Sequence, residues 1–269
     1  MIGIGLRREI AHDLHRFEIQ PDFLELAPEN WMSIGGYWGK TLKEVSESRK
    51  LTAHGLSLSI GSPDPINWGF LKEIKSFLDE YNIDIYSEHL AFSTYDNAHL
   101  YESLPIPFTE EAVKHVSNRI REVQDFIERP LIIENITYYT VLDSQLREVD
   151  FLNAILAESN CELLLDVNNI YVNGKNHGYD PKKFLEEIDT SRVSYVHVGG
   201  HQTLDSGLIL DTHNNLVIDP VYELLTELVK RINPTTPILL ERDSNFESFA
   251  ELNTDMKRIK EIISPELVK

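Results

Sequence analysis

The chain has 269 residues, 42% hydrophobic and 26% charged, the balance of a folded protein with a sizeable core. Lys and Arg number 25 against 44 Asp and Glu, a formal charge of −19, so the surface repels phosphate backbones and argues against a nucleic-acid partner. The one cysteine, Cys161, excludes an intramolecular disulfide framework, a CxxC zinc site and a protein-ligated iron–sulfur cluster. It precedes the apolar run "ELLLD" and reads as structural.

The N-terminus "MIGIGLRREI" lacks the charged start and long apolar core of a signal peptide, and no stretch reaches the roughly 18 apolar residues of a membrane span. The expectation is a cytoplasmic protein with no membrane partner. In chain order, short apolar runs stand at 2–6 ("IGIGL"), 23–26 ("FLEL"), 51–55 ("LTAHG") and 83–89 ("IDIYSEH"). Others follow at 131–135 ("LIIEN"), 162–167 ("ELLLDV"), 193–198 ("VSYVHV") and 237–242 ("PILLER"). Most are nearly continuous in apolar character, as in strands buried on both faces of a parallel sheet.

Helical periodicity fills the intervals. A first helix follows the first strand and carries His12 and His15. "WGFLKEIKSFLDEY" (68–81) places Phe70, Leu71, Ile74, Phe77 and Leu78 on one face. "TEEAVKHVSNRIREVQDFIE" (109–128) opens on Thr109 as N-cap, with acids in its first turn. "PVYELLTELVKRI" (220–232) starts with Pro at a first helical position, and a closing helix spans about 246–263. No linker, repeat or low-complexity tract interrupts the alternation. The pattern predicts one domain, 1–269, folded as a single (β/α)8 TIM barrel in the α/β class, with a doubly wound open sheet as the alternative. Loops at 27–40, 90–108 and 199–219 would lie on the face where barrel sites form.

The strand ends carry the chemistry. "LTAH" ends in His54, "IYSEH" in Glu88 and His89, "LIIE" in Glu134, and "LLLD" in Asp166, with Asn169 three positions on. "SYVH" ends in His197 and "ILLE" in Glu241, while the loop after the seventh strand adds Asp211 and His213. A lone histidine or acid at a strand end is usually a packed residue, an N-cap or an ion-pair partner. Six successive strands ending this way would converge bare acids and imidazoles at a large desolvation cost, which a bound cation offsets. Imidazole and carboxylate suit Fe, Mn or Zn, and nine donors suit two or three metals, with Glu134 the candidate bridge. His12, His15 and His115 read as surface or packing residues, His99 and His177 as loop residues without a matching pattern, and Asp205 as a solvated acid. His201 is ambiguous, since "VGG" between it and His197 is a turn and not a helix.

"HGLSLSIG" (54–61), "SEHL" (87–90), "IEN" (133–135), "DVNN" (166–169), "HVGGH" (197–201), "DTH" (211–213) and "ER" (241–242) together resemble the multinuclear non-heme iron-dependent oxidases, the relatives of the methanobactin-biosynthesis oxidase. The match runs from "GIGLR" to the eighth strand. The resemblance implies a TIM barrel holding two or three irons at its C-terminal mouth, with dioxygen as co-substrate. Members modify cysteines, and in some cases other residues, of ribosomally made precursor peptides, and several work with a separate partner protein that recognises the leader. By position, the implied metal ligands are His54, His89, Glu134, Asp166, Asn169, His197, Asp211, His213 and Glu241. Glu134, Glu88 and His201 are the implied catalytic residues, the last two beside the ligands or the substrate.

Two rivals are set against this. The layout also looks like the wider xylose-isomerase-like superfamily, whose metal-dependent hydrolases and isomerases include a trinuclear-zinc DNA-repair endonuclease that activates water for phosphodiester cleavage. The charge of −19 speaks against DNA, and Asn169 stands where that pattern has histidine. The other rival is a non-catalytic metal-binding protein docking a partner through "ENWMSIGGYWGK" (29–40), against which Trp31, Tyr37 and Trp38 are expected to pack over the site.

Overall fold

The structure is a computed structural model and describes residues 1–96, 98–142, 144–246 and 248–264, the side chain of Tyr101 excepted. Strands β1 (Ile2–Gly5), β2 (Phe23–Leu26), β3 (Lys50–Gly55), β4 (Tyr86–His89), β5 (Ile132–Glu134), β6 (Glu162–Asp166), β7 (Val193–Gly199) and β8 (Ile238–Glu241) close into a parallel barrel in the order β1-β8-β7-β6-β5-β4-β3-β2. Their residues are almost all buried, which explains why apolar runs and not alternating ones marked them. The chain divides into two compact units, a central one (Leu26–Leu164) and a terminal one (Met1–Glu25 with Leu165–Lys269).

In the central unit lie helices α1 (Gly36–Ser48), α2 (Trp68–Glu80), α3 (Glu110–Ile127) and α4 (Glu148–Ser159). Thr109 caps α3 as expected, its side chain accepting from the Ala112 amide at 3.1 Å. Val113, Val116, Ile120, Val123 and Ile127 form the buried stripe of α3, each contributing about 1.5–3 kcal/mol if fully transferred from water. From the same face the buried Arg119 donates to the carbonyls of Ile60 (2.9 Å) and Asp64 (2.7 Å), which pins the loop leaving β3. Asn67 caps α2 through the Phe70 amide, but Phe70 itself is only half-buried and not part of the stripe. The expected loop at 90–108 contains an antiparallel hairpin, Phe92–Tyr95 with Ala98–Leu104.

The terminal unit holds α5 (Val167–His177), α6 (Pro181–Glu187), α7 (Asp219–Leu228) and α8 (Phe249–Ile263). No α-helix follows β1. Residues 7–17 are successive turns closed by i to i−3 bonds (Ile10 to Arg7, Asp13 to Ile10, Arg16 to Asp13) with a short 3-10 segment, Leu14–Arg16. His12 and His15 therefore sit on turns and a 3-10 helix, while two α-helices, α5 and α6, follow β6. The loop at 199–219 contains a hairpin, Gln202–Thr203 with Ile209–Leu210. Among the described residues no helix is long and apolar enough to cross a membrane.

Candidate metal centre

In the central unit the strand register builds the site. His54 pairs with Ser87, and His89 with Glu134, so all four side chains leave one face of β3, β4 and β5. His54 Nε2 lies 3.3 Å from Glu134 Oε2 and 3.3 Å from His89 Nε2, and His89 Nε2 lies 3.4 Å from Glu134 Oε2. Ser87 Oγ meets the other nitrogen of His54, Nδ1, at 2.8 Å, which leaves Nε2 facing its neighbours. His54 and Glu134 are buried, and His89 is half-buried.

Glu88 falls on the opposite face. It pairs with Gly55, where a Cβ would collide with its carboxylate, and it accepts from the Tyr86 hydroxyl at 2.5 Å. Burial and the nearby Glu29 push its carboxyl up to about 8. Glu88 therefore leaves the face of β4 opposite to His89, because side chains alternate along a strand, with His54 close enough to favour its charged form.

In the terminal unit Asp166 and Glu241 end β6 and β8 and His197 lies two residues before the end of β7, and one donor atom from each lies within 4.8 Å of the others. Asp166 doubles as the N-cap of α5, Oδ1 accepting from the Asn169 amide at 2.7 Å. His197, wholly buried, has Nδ1 3.1 Å from Glu241 Oε2 and Nε2 2.9 Å from Glu25 Oε2. Burial works against charge on this ring, but Glu25 and Glu241 outweigh it and raise its pKa well above the ordinary value.

A second terminal set comprises His213, Glu241 and Asp243. His213 takes a left-handed φ of 45° and points Nε2 at Asp211 Oδ1 (2.6 Å), with Nδ1 3.2 Å from Asp243 Oδ2 and 3.5 Å from Glu241 Oε1. Arg7 Nη2 closes on Asp243 Oδ1 at 2.6 Å. "VGG" is explained by proximity: a Cβ on Gly199 would meet the His213 ring, and one on Gly200 the Asn215 carbonyl.

His201 is held by a short relay. Asn168 Nδ2 donates to Asp211 Oδ1 at 2.8 Å, which turns Asn168 Oδ1 toward His201 Nδ1 at 2.7 Å. A carboxylate only accepts, so the amide orientation is set, and His201 carries its proton on Nδ1 with a lone pair on Nε2. Burial lowers the pKa of His201, favouring this neutral form. Its ring stacks on Tyr171 with centroids 5.2 Å apart.

The family model described as "RiPP precursor modification enzyme MbnB/TglH/ChrH", RiPP meaning a ribosomally made, post-translationally modified peptide, matches residues 1–264. The chain belongs to the MbnB/TglH/ChrH family. Membership places it among enzymes that modify ribosomally made precursor peptides. A UPF0276 protein of Shewanella sediminis is 46% identical, the match covering 97% of this chain and 93% of that one. Among solved structures, the IOLI protein with a bound zinc atom aligns with a TM-score of 0.64 at 13% identity over 100% of this chain and 99% of its own. Endonuclease IV from Thermus thermophilus aligns with a TM-score of 0.59 at 15% identity over 97% of this chain and 99% of its own. At such identities these structures show the shared barrel fold alone.

The donor sets of this MbnB/TglH/ChrH member suit metal ions. Donors held about 2.0–2.2 Å from one tetrahedral cation stand roughly 3.3–3.6 Å apart, and the His54–His89–Glu134 separations are 3.3, 3.3 and 3.4 Å. Nitrogen and carboxylate oxygen without thiolate is a donor chemistry fit for iron.

Of the expected ligands, the central unit gathers His54, His89 and Glu134, and the terminal unit gathers Asp166, His197, Glu241, Asp211 and His213, with Asn169 on the first turn of α5. Asp205 is exposed on a turn, and His115 packs by Nε2 against the Ser62 carbonyl at 2.8 Å. Trp31 is buried edge-on to Trp38 (centroids 6.3 Å apart), whereas Tyr37 is 64% exposed and stands edge-on to the other side of the pair at Trp38, centroids 5.1 Å apart. Reading the sequence missed Glu25, Arg7, Asn168 and Asp243. An acid inside the otherwise apolar "FLEL" was the available signal for Glu25. Arg7 and Asp243 lie 236 positions apart and gave none.

Proposed function

We propose that this protein is a multinuclear non-heme iron oxidase that uses dioxygen to modify a cysteine, or another residue, of a ribosomally made precursor peptide. The observation that carries it is the presence of three mixed imidazole–carboxylate sets at barrel strand ends in a chain of this family: His54, His89 and Glu134; Asp166, His197 and Glu241; His213, Glu241 and Asp243. Two or three irons are assigned to them, with Asn169 and Asp211 completing the ligands. Bound iron supplies the redox capacity and dioxygen binding that no side chain of the chain can supply. Glu134 would hold metal in the central set, and Glu241, which belongs to two sets of the terminal unit, would serve both.

The remaining roles belong to the protein's own groups. Cys161 is fully buried, so the thiol that reacts is the substrate's. His201, fixed by Asn168, offers Nε2 as an acceptor for a substrate N–H or S–H and can take up its proton. Tyr86 and Glu88 brace β3 and β4 from behind the ligand face. The peptide is brought by its leader, which a separate partner protein recognises, and the reaction runs in the cytoplasm.

Anaerobic loading with ferrous ion, followed by air and a cysteine-containing precursor peptide, tests the reading. It predicts two or three irons bound per chain and oxygen uptake that depends on the peptide. Iron loading without peptide-dependent oxygen uptake, for every cysteine peptide tried, overturns the oxidase assignment in favour of hydrolysis, isomerisation or storage.

A further inference from the structure

Glu25 ends in a place the oxidase reading leaves unused. It is a carboxylate 1% exposed in a strand otherwise made of Phe23, Leu24 and Leu26. Burying such a group is costly unless it is paired and hydrogen-bonded. Its side-chain partner is His197 Nε2, at 2.9 Å. Among the described residues Glu25 belongs to none of the convergent donor sets, whereas Glu241, on the other side of the same ring, belongs to two. The two nitrogens of His197 therefore face different things: Nδ1 faces the donor cluster through Glu241 Oε2 at 3.1 Å, and Nε2 faces Glu25, a carboxylate outside the donor sets that Arg7 also attracts.

We infer that Glu25 is a positioning residue, holding the Nε2 proton of His197 so that the ring presents Nδ1 to the metal. The inference rests on His197 being a ligand, as the oxidase reading has it. A carboxylate accepts and does not donate, so a ring nitrogen facing it keeps its proton unless a cation displaces it, and of the two carboxylates only Glu241 belongs to donor sets that could hold one. Metal-bound histidines commonly donate their other N–H to a carboxylate, which fixes the tautomer, sets the ring plane and raises the basicity of the bound nitrogen. Tyr195 adds to the constraint, lying edge-on to the ring with centroids 5.0 Å apart at 81°. Glu25 thus selects which nitrogen binds without touching the reaction.

The test is made on the full-length protein with zinc as a diamagnetic probe. In the 15N spectrum of histidine-labelled, zinc-loaded wild type, the His197 Nε2 resonance is that of a protonated nitrogen and Nδ1 that of a metal-bound one. Glu25→Ala loses about 10–100-fold in affinity for one of the bound metals, measured by chelator competition with zinc and with ferrous ion. Glu25→Gln, which can accept through Oε1 or donate through its amide, retains the fold, loses less affinity and releases the tautomer choice. Metal-bound Nε2 in the wild type, or unchanged affinity in Glu25→Ala, overturns the inference. If Glu25→Ala does not fold, the wild-type spectrum and Glu25→Gln decide it. A wild type that binds no metal through His197 sinks the ligand assignment under the oxidase reading itself and is recognisable as that separate failure.

Discussion

Glu241→Gln is the substitution expected to damage metal binding most, because one carboxylate serves two donor sets. It stands 3.1 Å from His197 Nδ1 by one oxygen and 3.5 Å from His213 Nδ1 by the other. A site whose ligand is present at 100 times its dissociation constant adds about 2.7 kcal/mol to folding stability. About 1 kcal/mol moves Tm by roughly 2–4 °C in a domain of 150–250 residues, so each occupied site raises Tm by about 5–11 °C. His54→Ala removes the central set alone and forfeits about one such increment. Glu241→Gln weakens both terminal sets and forfeits about two, while the metal-free proteins melt within a few degrees of wild type. Thermal unfolding with and without ferrous ion, under anaerobic conditions, measures the increments. An iron-dependent rise in Glu241→Gln equal to or larger than that in His54→Ala would refute the shared-carboxylate argument.

Three further outcomes follow from the structure. Gly199→Ala places a Cβ against the His213 ring, so iron content falls while the metal-free protein keeps its secondary structure by circular dichroism; Gly200→Ala, whose Cβ meets the Asn215 carbonyl, loses stability as well, because backbone cannot yield as a ring can. Asp255 accepts from the Tyr222 hydroxyl at 2.7 Å and from the wholly buried Arg242 at 3.3 Å. Urea unfolding should show a loss of about 3–5 kcal/mol for Asp255→Ala, which removes the buried carboxylate partner of the guanidinium and leaves it the Asn214 carbonyl and the exposed Glu251, against about 0.5–1.5 kcal/mol for Tyr222→Phe. Burial first, and then Asp255, raise the Tyr222 phenol above its ordinary value of 10.0. A raised folded-state pKa means that stability is intact below about pH 10 and falls as pH rises beyond it, since the unfolded chain ionises first. The alkaline fall in unfolding free energy is therefore shallower in Tyr222→Phe than in wild type, and an identical slope contradicts the assignment.

The barrel and the strand-end donors were legible because both rest on local pattern. A parallel strand covered on both faces must be apolar throughout, so an acid or imidazole that closes such a run stands out, as at His54, Glu134, Asp166, His197 and Glu241. Where the pattern depended on packing at a distance it failed. "RREIAHDLHR" has helical spacing, yet Arg7 reaches Asp243 and the segment winds in i to i−3 turns. The hairpin Phe92–Tyr95 with Ala98–Leu104 was read as loop because its strands are short and only partly buried. Glu88 adjoins His89 in the sequence, but the period of two along β4 turns the two side chains to opposite faces, which only the register shows. Asn168 escaped notice beside Asn169, since only the position of Asp211 in space shows that it orients His201.

The most direct test of the oxidase account is the mass of a cysteine-containing precursor peptide after incubation with the iron-loaded protein and the partner that recognises its leader, in air and without oxygen. The account predicts a mass change on the cysteine-bearing fragment in air alone, lost in Glu241→Gln. A peptide whose mass is the same in both, or changed equally in both, contradicts it.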